Sequence, residues 1–364
     1  MKNFITFILP THNEERNIIP LIKEILELNI NYEIEIIVVD DDSVDQTQLL
    51  VKKLSKIERR VRLINRIGRY GLSSAINEGC LNSTGEVIAI MDSDGQHEVK
   101  SVYEAIDLLI NGNYDLIIGS RFLEKSSIKG LSAKRKDGSF YANILARNTL
   151  SNEYRHITDY MSGCFAFKTI TCMEEIKKID VNGFKFLYEL LALTKGKLKI
   201  KEIPLQFKSR KFGYSKLDIA VIWDFVISLI HTFINRVIPR KAISFGVVGS
   251  IGVLVHLAMV YFLISITSLS FIQVLPFAGV SAASSNFLIN NMFTFRNKRL
   301  RGIGLFYGLL KFLMVSSIPL VANVGLAASY YTFISPNTFI SQMAGIIVVF
   351  IWNYVASSKF VWKE

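Results

Sequence analysis

The sequence predicts an α/β domain followed by an all-α membrane domain, and three observations carry that expectation. Over residues 1–216, short β-branched runs of strand length alternate with amphipathic stretches at helical spacing. From Ala242 to Phe295 there is no Asp, Glu, Lys or Arg, and from Gly302 to Ser358 Lys311 is the only one. Half of the 364 residues are hydrophobic and the mean hydropathy is +0.33, too apolar for an ordinary water-soluble enzyme. The expected divisions are a catalytic-type domain over 1–216, amphipathic interface helices over 217–240 and a four-span membrane domain over 241–364.

In chain order, Phe4–Leu9, Glu35–Asp40, Val87–Met91 and Asp115–Ile118 read as strands. Ile18, Leu21, Ile22, Ile25 and Leu26 read as a helix face that follows Asn13, a residue type suited to capping. This alternation argues for a mostly parallel sheet, whose ligand lies beyond the carboxyl ends of the strands. Pro10-Thr11-His12-Asn13-Glu14, Asp40-Asp41-Asp42-Ser43 and Asp92-Ser93-Asp94 each follow a strand, so three polar clusters should converge on one rim. Cys80, Cys164 and Cys172 form no C-x-x-C pair and read as reduced thiols. The apolar run before Pro10 is too short for a signal peptide.

Asp224, Ser228, His231, Thr232 and Asn235 draw a polar stripe on an apolar stretch, as at a membrane interface. Spans are expected near Ile243–Ser265, Phe271–Met292, Phe306–Tyr331 and Thr338–Ser358. Arg236, Arg240 and Lys241 precede the first, Arg296, Lys298, Arg299 and Arg301 lie between the second and third, and Lys359 and Lys363 follow the fourth. The positive-inside rule then puts the α/β domain and the C-terminus in the cytosol of a multi-pass protein. The two pairs of spans resemble a weak parallel repeat: Asn290 to Phe295 closes the first, Asn353 and Lys359 to Trp362 the second. The net charge of +11 suits anionic lipid or a phosphate substrate, and nothing points to a nucleic-acid partner.

Asp92-Ser93-Asp94 is the strongest local motif. Two carboxylates after an apolar strand offer hard oxygen ligands to Mg2+ or Mn2+, which would neutralise a leaving diphosphate. A solvated acidic turn explains an isolated D-x-D as well; the preceding Val87-Ile88-Ala89-Ile90-Met91 run and the following Gln96-His97 favour the site. Asp41 and Asp42 offer acceptors to a ribose or a base, since carboxylates so close together need a partner. Ser43-x-x-Gln46 also fits a capping box. Gly71-Leu72-Ser73-Ser74-Ala75 starts a helix whose N–H groups could face a phosphate, Ser73 among them, although a plain helix start accounts for it equally. No G-x-G-x-x-G or Walker A motif occurs.

With these pieces in place, residues 1–216 resemble glycosyltransferase family 2, and within it the dolichol-phosphate mannose synthases. The further matching motifs are Gly119-Ser120-Arg121, Arg135-x-x-x-Ser139, Asp159-x-x-Ser162-Gly163, Gly183-Phe184-Lys185 and Gly213-Tyr214-Ser215-Lys216-Leu217. The tail resembles the GtrA-like membrane family. The resemblance implies a GT-A (Rossmann-like nucleotide-diphospho-sugar transferase) fold and an inverting transfer. It implies that Pro10, His12, Glu14 and Asp41 hold the nucleotide, and that Asp92, Asp94 and Gln96 surround the metal and the donor phosphates. Arg121, Arg135 and Ser139 would hold the lipid phosphate, a role guanidinium forks also suit on chemical grounds. His12 stands where the family usually has Tyr, and Glu98 where Pro is typical.

The expected reaction is transfer of mannose from GDP-mannose to dolichyl or another polyprenyl phosphate at the bilayer. The alternative is a UDP-glucose polyprenyl-phosphate glucosyltransferase. A processive synthase would carry a Q-x-x-R-W motif, which is absent. Intact Asp92 and Asp94 weigh against a non-enzymatic lipid-sugar flippase or scaffold.

Overall fold

A computed structural model describes residues 3–28, 31–68, 71–124, 126, 133–180, 185–208, 219–317 and 338–363, the side chains of 133–137 and 338–346 excepted. The chain forms two compact units, Met1–Phe233 and Ile234–Glu364.

The first unit is built on β1 (Phe4–Thr11), α1 (Ile18–Leu28), β2 (Glu33–Asp40), α2 (Thr47–Ile57), β3 (Val61–Asn65), α3 (Leu72–Leu81), β4 (Val87–Ile90) and α4 (Val99–Asn111). It continues with β5 (Leu116–Ser120), α5 (Ala133–Thr149), β6 (Phe165–Lys168), α6 (Thr169–Ile176), α7 (Phe186–Thr194), β7 (Ile200–Pro204) and α8 (Ile219–Phe233). The seven strands lie in the order β3-β2-β1-β4-β6-β5-β7. All pairings are parallel except those of β6, which runs against both β4 and β5. The mostly parallel expectation therefore holds with one reversed strand, β6, between β4 and β5.

Alternation along the buried strands feeds two apolar layers. Ile8, Ile37, Val39, Ile88 and Ile90 face α3, α6 and α7. Phe7, Leu9, Ile36, Val38 and Ala89 face α1 and α4, where Ile18, Leu21, Ile22 and Ile25 form one helical stripe. The three cysteines are buried and unpaired by disulfides.

Two local expectations fail. Helix α1 begins at Ile18, and Asn13 does not cap it: Asn13 sits at φ +55° and its Oδ1 accepts the Val44 N–H at 2.9 Å. Helix α2 begins at Thr47, so Ser43 closes no capping box; its hydroxyl donates to Asp40 Oδ2 at 2.6 Å and accepts the Asn13 N–H at 2.8 Å. Both side chains tie loops together across the sheet edge instead of starting helices.

Helix α8 also turns its polar residues the other way from a simple interface helix. Ser228 and His231 are buried, whereas Ile219, Ile222, Val226 and Phe233 are exposed. Helix α5, which packs on α8, exposes Phe140, Tyr141, Ile144 and Leu145. The two helices thus present an outward apolar surface.

The second unit holds α9 (Arg240–Ile266), α10 (Phe271–Ile289), α11 (Ile303–Ser317) and α12 (Thr338–Ala356). Helix α9 and the stretch Phe271–Thr294 are long and apolar enough to cross a bilayer. Residues 318–331 of the expected third span lie outside the described residues. Both repeat-closing segments end in a π-helical turn, Asn290–Thr294 and Ser357–Val361. Just beyond them, Phe295 and Trp362 stack with ring centroids 4.1 Å apart. Trp362 Nε1–H also donates to Asn291 Oδ1 at 3.1 Å, whose amide brackets the backbone of Leu300.

Candidate active site

The strand order sets the carboxyl ends of β2, β1 and β4 side by side. Two antiparallel steps through β6 make β5 parallel to β4, so Arg121 emerges on the same rim. The loops are stitched to one another there. Ser93 Oγ donates to the Pro10 carbonyl at 2.7 Å, and His12 Nδ1–H donates to the Asp41 carbonyl at 2.8 Å. Glu14, buried next to them, accepts Asn17 Nδ2 at 2.7 Å. The three clusters expected to converge do converge.

The Asp40-Asp41-Asp42 run divides into separate tasks, which relieves the repulsion. Asp40 is fully buried and accepts the Ser43 N–H at 2.9 Å and Gln48 Nε2 at 2.7 Å. Asp41 accepts from Arg66 Nη1 and from the Gly71 N–H at 2.7 Å. Burial pushes the Asp41 carboxyl up, against the pull of the Gly71 N–H and Arg66. Asp42, at φ +57°, accepts the Gly68 N–H at 3.3 Å.

The start of α3 thus serves Asp41 rather than an open phosphate site. Ser73, expected among the phosphate contacts, is 1% exposed and its hydroxyl is unpartnered, so it is internal. Arg66, which no sequence motif marks, is 2% exposed and joins Asp41 to Glu78, the latter at 3.1 Å.

Asp92 is partly exposed at the rim, and Asp94 is nearly buried, accepting the Gln96 N–H at 3.1 Å. Withdrawal from water pushes the Asp92 carboxyl up; His97 offsets this and Asp94 adds to it. Gln96 is pinned by its Nε2 on the Lys208 carbonyl at 3.0 Å. His97 accepts the Asp92 N–H on Nδ1 at 3.3 Å and packs on Phe207, so it holds the loop in place. Gly163 lies so close that a Cβ there would come within 2.2 Å of Asp92 Oδ2.

Among the described residues no three His, Cys, Asp or Glu side chains group as a metal cage. Two crowded carboxylates beside an amide fit a hard cation whose remaining ligands are substrate phosphates and water, the usual manner of Mg2+.

Arg121 is held by Asp159, Nε to Oδ2 at 2.7 Å and Nη2 to Oδ1 at 2.8 Å, with Asp159 fully buried. Burial pulls the Asp159 carboxyl up, yet Arg121 holds it below the ordinary value. The guanidinium also lies near the rings of Phe122 and Phe207 and feels the charge of Asp92. Lys185 joins them: burial pushes its ammonium down, while Asp92 pulls it up and Arg121 adds to the depression. Its motif was visible in the sequence, but no role was attached to it. Ser139 is partly buried on α5, one helical turn beyond Arg135. The Arg135 side chain, Gly183, Phe184 and the segment 213–217 lie outside the described residues.

A family model described as glycosyl transferase family 2 matches residues 6–171. Another, described as the GtrA/DPMS transmembrane domain, matches residues 244–362. The chain is 31% identical to the dolichol-phosphate mannosyltransferase of Pyrococcus furiosus over 361 residues, covering 98% of this chain and 99% of the relative. The chain belongs to the dolichol-phosphate mannosyltransferase family.

The dolichol-phosphate mannosyltransferase of Mycosarcoma maydis is 30% identical over 258 residues, 69% of this chain and 83% of its own. Among solved structures, the glucosyl-3-phosphoglycerate synthase of Mycobacterium tuberculosis in complex with Mn2+, UDP and glucosyl-3-phosphoglycerate aligns with 64% of this chain and 80% of its own. That alignment has 18% identity and a TM-score of 0.47. As a dolichol-phosphate mannosyltransferase family member, the chain is a glycosyltransferase with a GT-A fold in its first unit and a membrane domain in its second.

Proposed function

We propose that the chain transfers mannose from GDP-mannose to dolichyl or another polyprenyl phosphate with inversion at the sugar carbon. The observation that carries this reading is Arg121, fixed on buried Asp159 across from Asp92 at one rim. A phosphate acceptor is already anionic. It needs positioning in line with the sugar carbon and screening of its charge, not a strong base. Arg121, Lys185, Arg135 and Ser139 supply that positioning, and the Asp159 lock leaves Arg121 Nη1 to face the phosphate.

Asp92, Asp94 and Gln96 are the residues to hold Mg2+ or Mn2+, which when bound stabilises the leaving nucleotide diphosphate as a Lewis acid. Pro10, His12, Glu14 and Asp41 hold the nucleotide. Arg66 keeps the Asp41 carboxylate turned, and Asp42 stands at the edge of the same pocket.

The membrane unit carries four spans with the catalytic unit and the C-terminus cytosolic, as the Lys and Arg of the connections argue. The outward apolar faces of α5 and α8 bring the rim to the bilayer, where the acceptor headgroup lies.

Membranes containing the full chain are incubated with dolichyl phosphate and either labelled GDP-mannose or labelled UDP-glucose. A mannolipid of β configuration is expected, abolished by EDTA. Product from UDP-glucose alone would overturn the donor assignment, and an α-linked product would overturn inversion.

A further inference from the structure

The membrane unit contains a cavity of about 320 Å³ lined by none of the residues proposed for the transfer reaction. Its lining is unusual for hydrocarbon depth. His256, Asn286, Asn290, Ser316 and Asn353 line it, and no Asp, Glu, Lys or Arg is among the described lining residues.

The side-chain oxygens of Asn286, Asn290 and Asn353 are buried without a hydrogen-bond partner, as is that of Ser357. An unmade hydrogen bond at such a place is destabilising, because the group has lost its water without gaining a partner. Polar residues within membrane segments ordinarily serve a bound group or a pathway.

The repeat explains their placement. With Phe295 set against Trp362, the same offset pairs Asn286 with Asn353, Asn290 with Ser357 and Gly249 with Ser316. The orphaned atoms are therefore equivalent positions of the two halves. A cavity lined by both members of such pairs lies between those halves. Gly249 leaves it open, since a Cβ there would meet nothing within 4 Å.

We propose that this cavity is a binding site for an uncharged, polyhydroxylated group, chemically a sugar. The amides of Asn286, Asn290 and Asn353, with Ser316 and His256, line it with donors and acceptors that match sugar hydroxyls. No Lys or Arg is among the described lining residues, which disfavours a phosphate, and a volume near 300 Å³ suits a ligand of hexose size. The sugar could be the head of a lipid-linked product or a free saccharide, and the assay separates the two.

The full chain in phosphatidylcholine nanodiscs is irradiated with an octyl mannoside carrying a diazirine in its alkyl chain, beside the matching octanol diazirine. The glycoside is expected to label peptides of 240–300 and 338–361 well above the alkanol. Gly249→Leu, which fills the space, and, separately, Asn353→Ala, which removes an amide, should each lower that labelling about fivefold or more. Monodisperse elution of each variant shows that it is folded. Competition by polyprenyl-phosphate mannose alone assigns the occupant to the lipid; competition by methyl mannoside as well assigns it to free sugar. Equal labelling by the alkanol, or wild-type labelling in both folded variants, overturns the proposal and leaves a cavity filled by water or acyl chain.

Discussion

The close approach of Gly163 to Asp92 gives the sharpest test of the site. In Gly163→Ala the new methyl would stand 2.2 Å from Asp92 Oδ2, 2.7 Å from Cγ and 3.0 Å from Oδ1. Ordinary contact needs about 3.5 Å, so one partner must retreat by roughly 1 Å. Gly163 is held in place by its neighbour, because Ser162 Oγ donates to the Gly119 carbonyl at 2.6 Å. The Asp92 carboxylate is therefore the group that moves. Overpacking of this size costs about 1–3 kcal/mol of stability, which the folded unit survives. A misplacement of about 1 Å at a catalytic group costs on the order of 10²-fold in rate. Single-turnover transfer from labelled GDP-mannose across a Mn2+ titration measures both. The expected result is a rate lower by about two orders of magnitude and a raised half-saturating Mn2+ concentration, with a Tm only a few degrees lower. Wild-type transfer and metal dependence in a folded Gly163→Ala protein would refute the role given to Asp92.

Three further outcomes are expected. Arg66→Met leaves Asp41 and Glu78 without their shared cation; it should cost about 3 kcal/mol in chemical denaturation and raise the KM for the donor more than it lowers kcat. Asp159→Asn removes the charge that locks Arg121, again at about 3 kcal/mol, and flattens the acid limb of stability. The Asp159 carboxyl lies below its ordinary value in the fold, so its contribution is complete above about pH 4 and lost as pH falls through the lower folded value. Urea titrations at several pH values check this. Phe140→Glu with Val226→Glu, on the outward faces of α5 and α8, should raise the KM for a long-chain polyprenyl phosphate more than for a short-chain one.

What the sequence revealed of this fold follows from how local each cue is. Strands β1, β2, β4 and β5 announce themselves as β-branched runs, and the loops after the first three carry the nucleotide and metal candidates. Strand β6 is only Phe165-Ala166-Phe167-Lys168, and its place between β4 and β5 is set by pairing with residues about fifty or more positions away. No short window contains that information. Asn13 and Ser43 illustrate the same limit. Each fits a helix start locally, yet each finds a better partner on the neighbouring loop. Arg66 and Lys185 escaped assignment because their value lies in carboxylates distant in sequence, Asp41 for one and Asp92 for the other. Arg121, Asp92 and Asp94 were recognisable because motif and topology both deliver them to one rim.

The apolar exterior of α5 and α8 bears on how this enzyme can be handled. A chain cut at Phe233 would retain the whole sheet and every candidate contact to the donor, yet it would carry Phe140, Tyr141, Ile222 and Val226 into water. Such a fragment should clump unless detergent or vesicles are supplied. Removing the spans does not yield a freely soluble enzyme, because the greasy part of this protein begins before its first hydrophobic span.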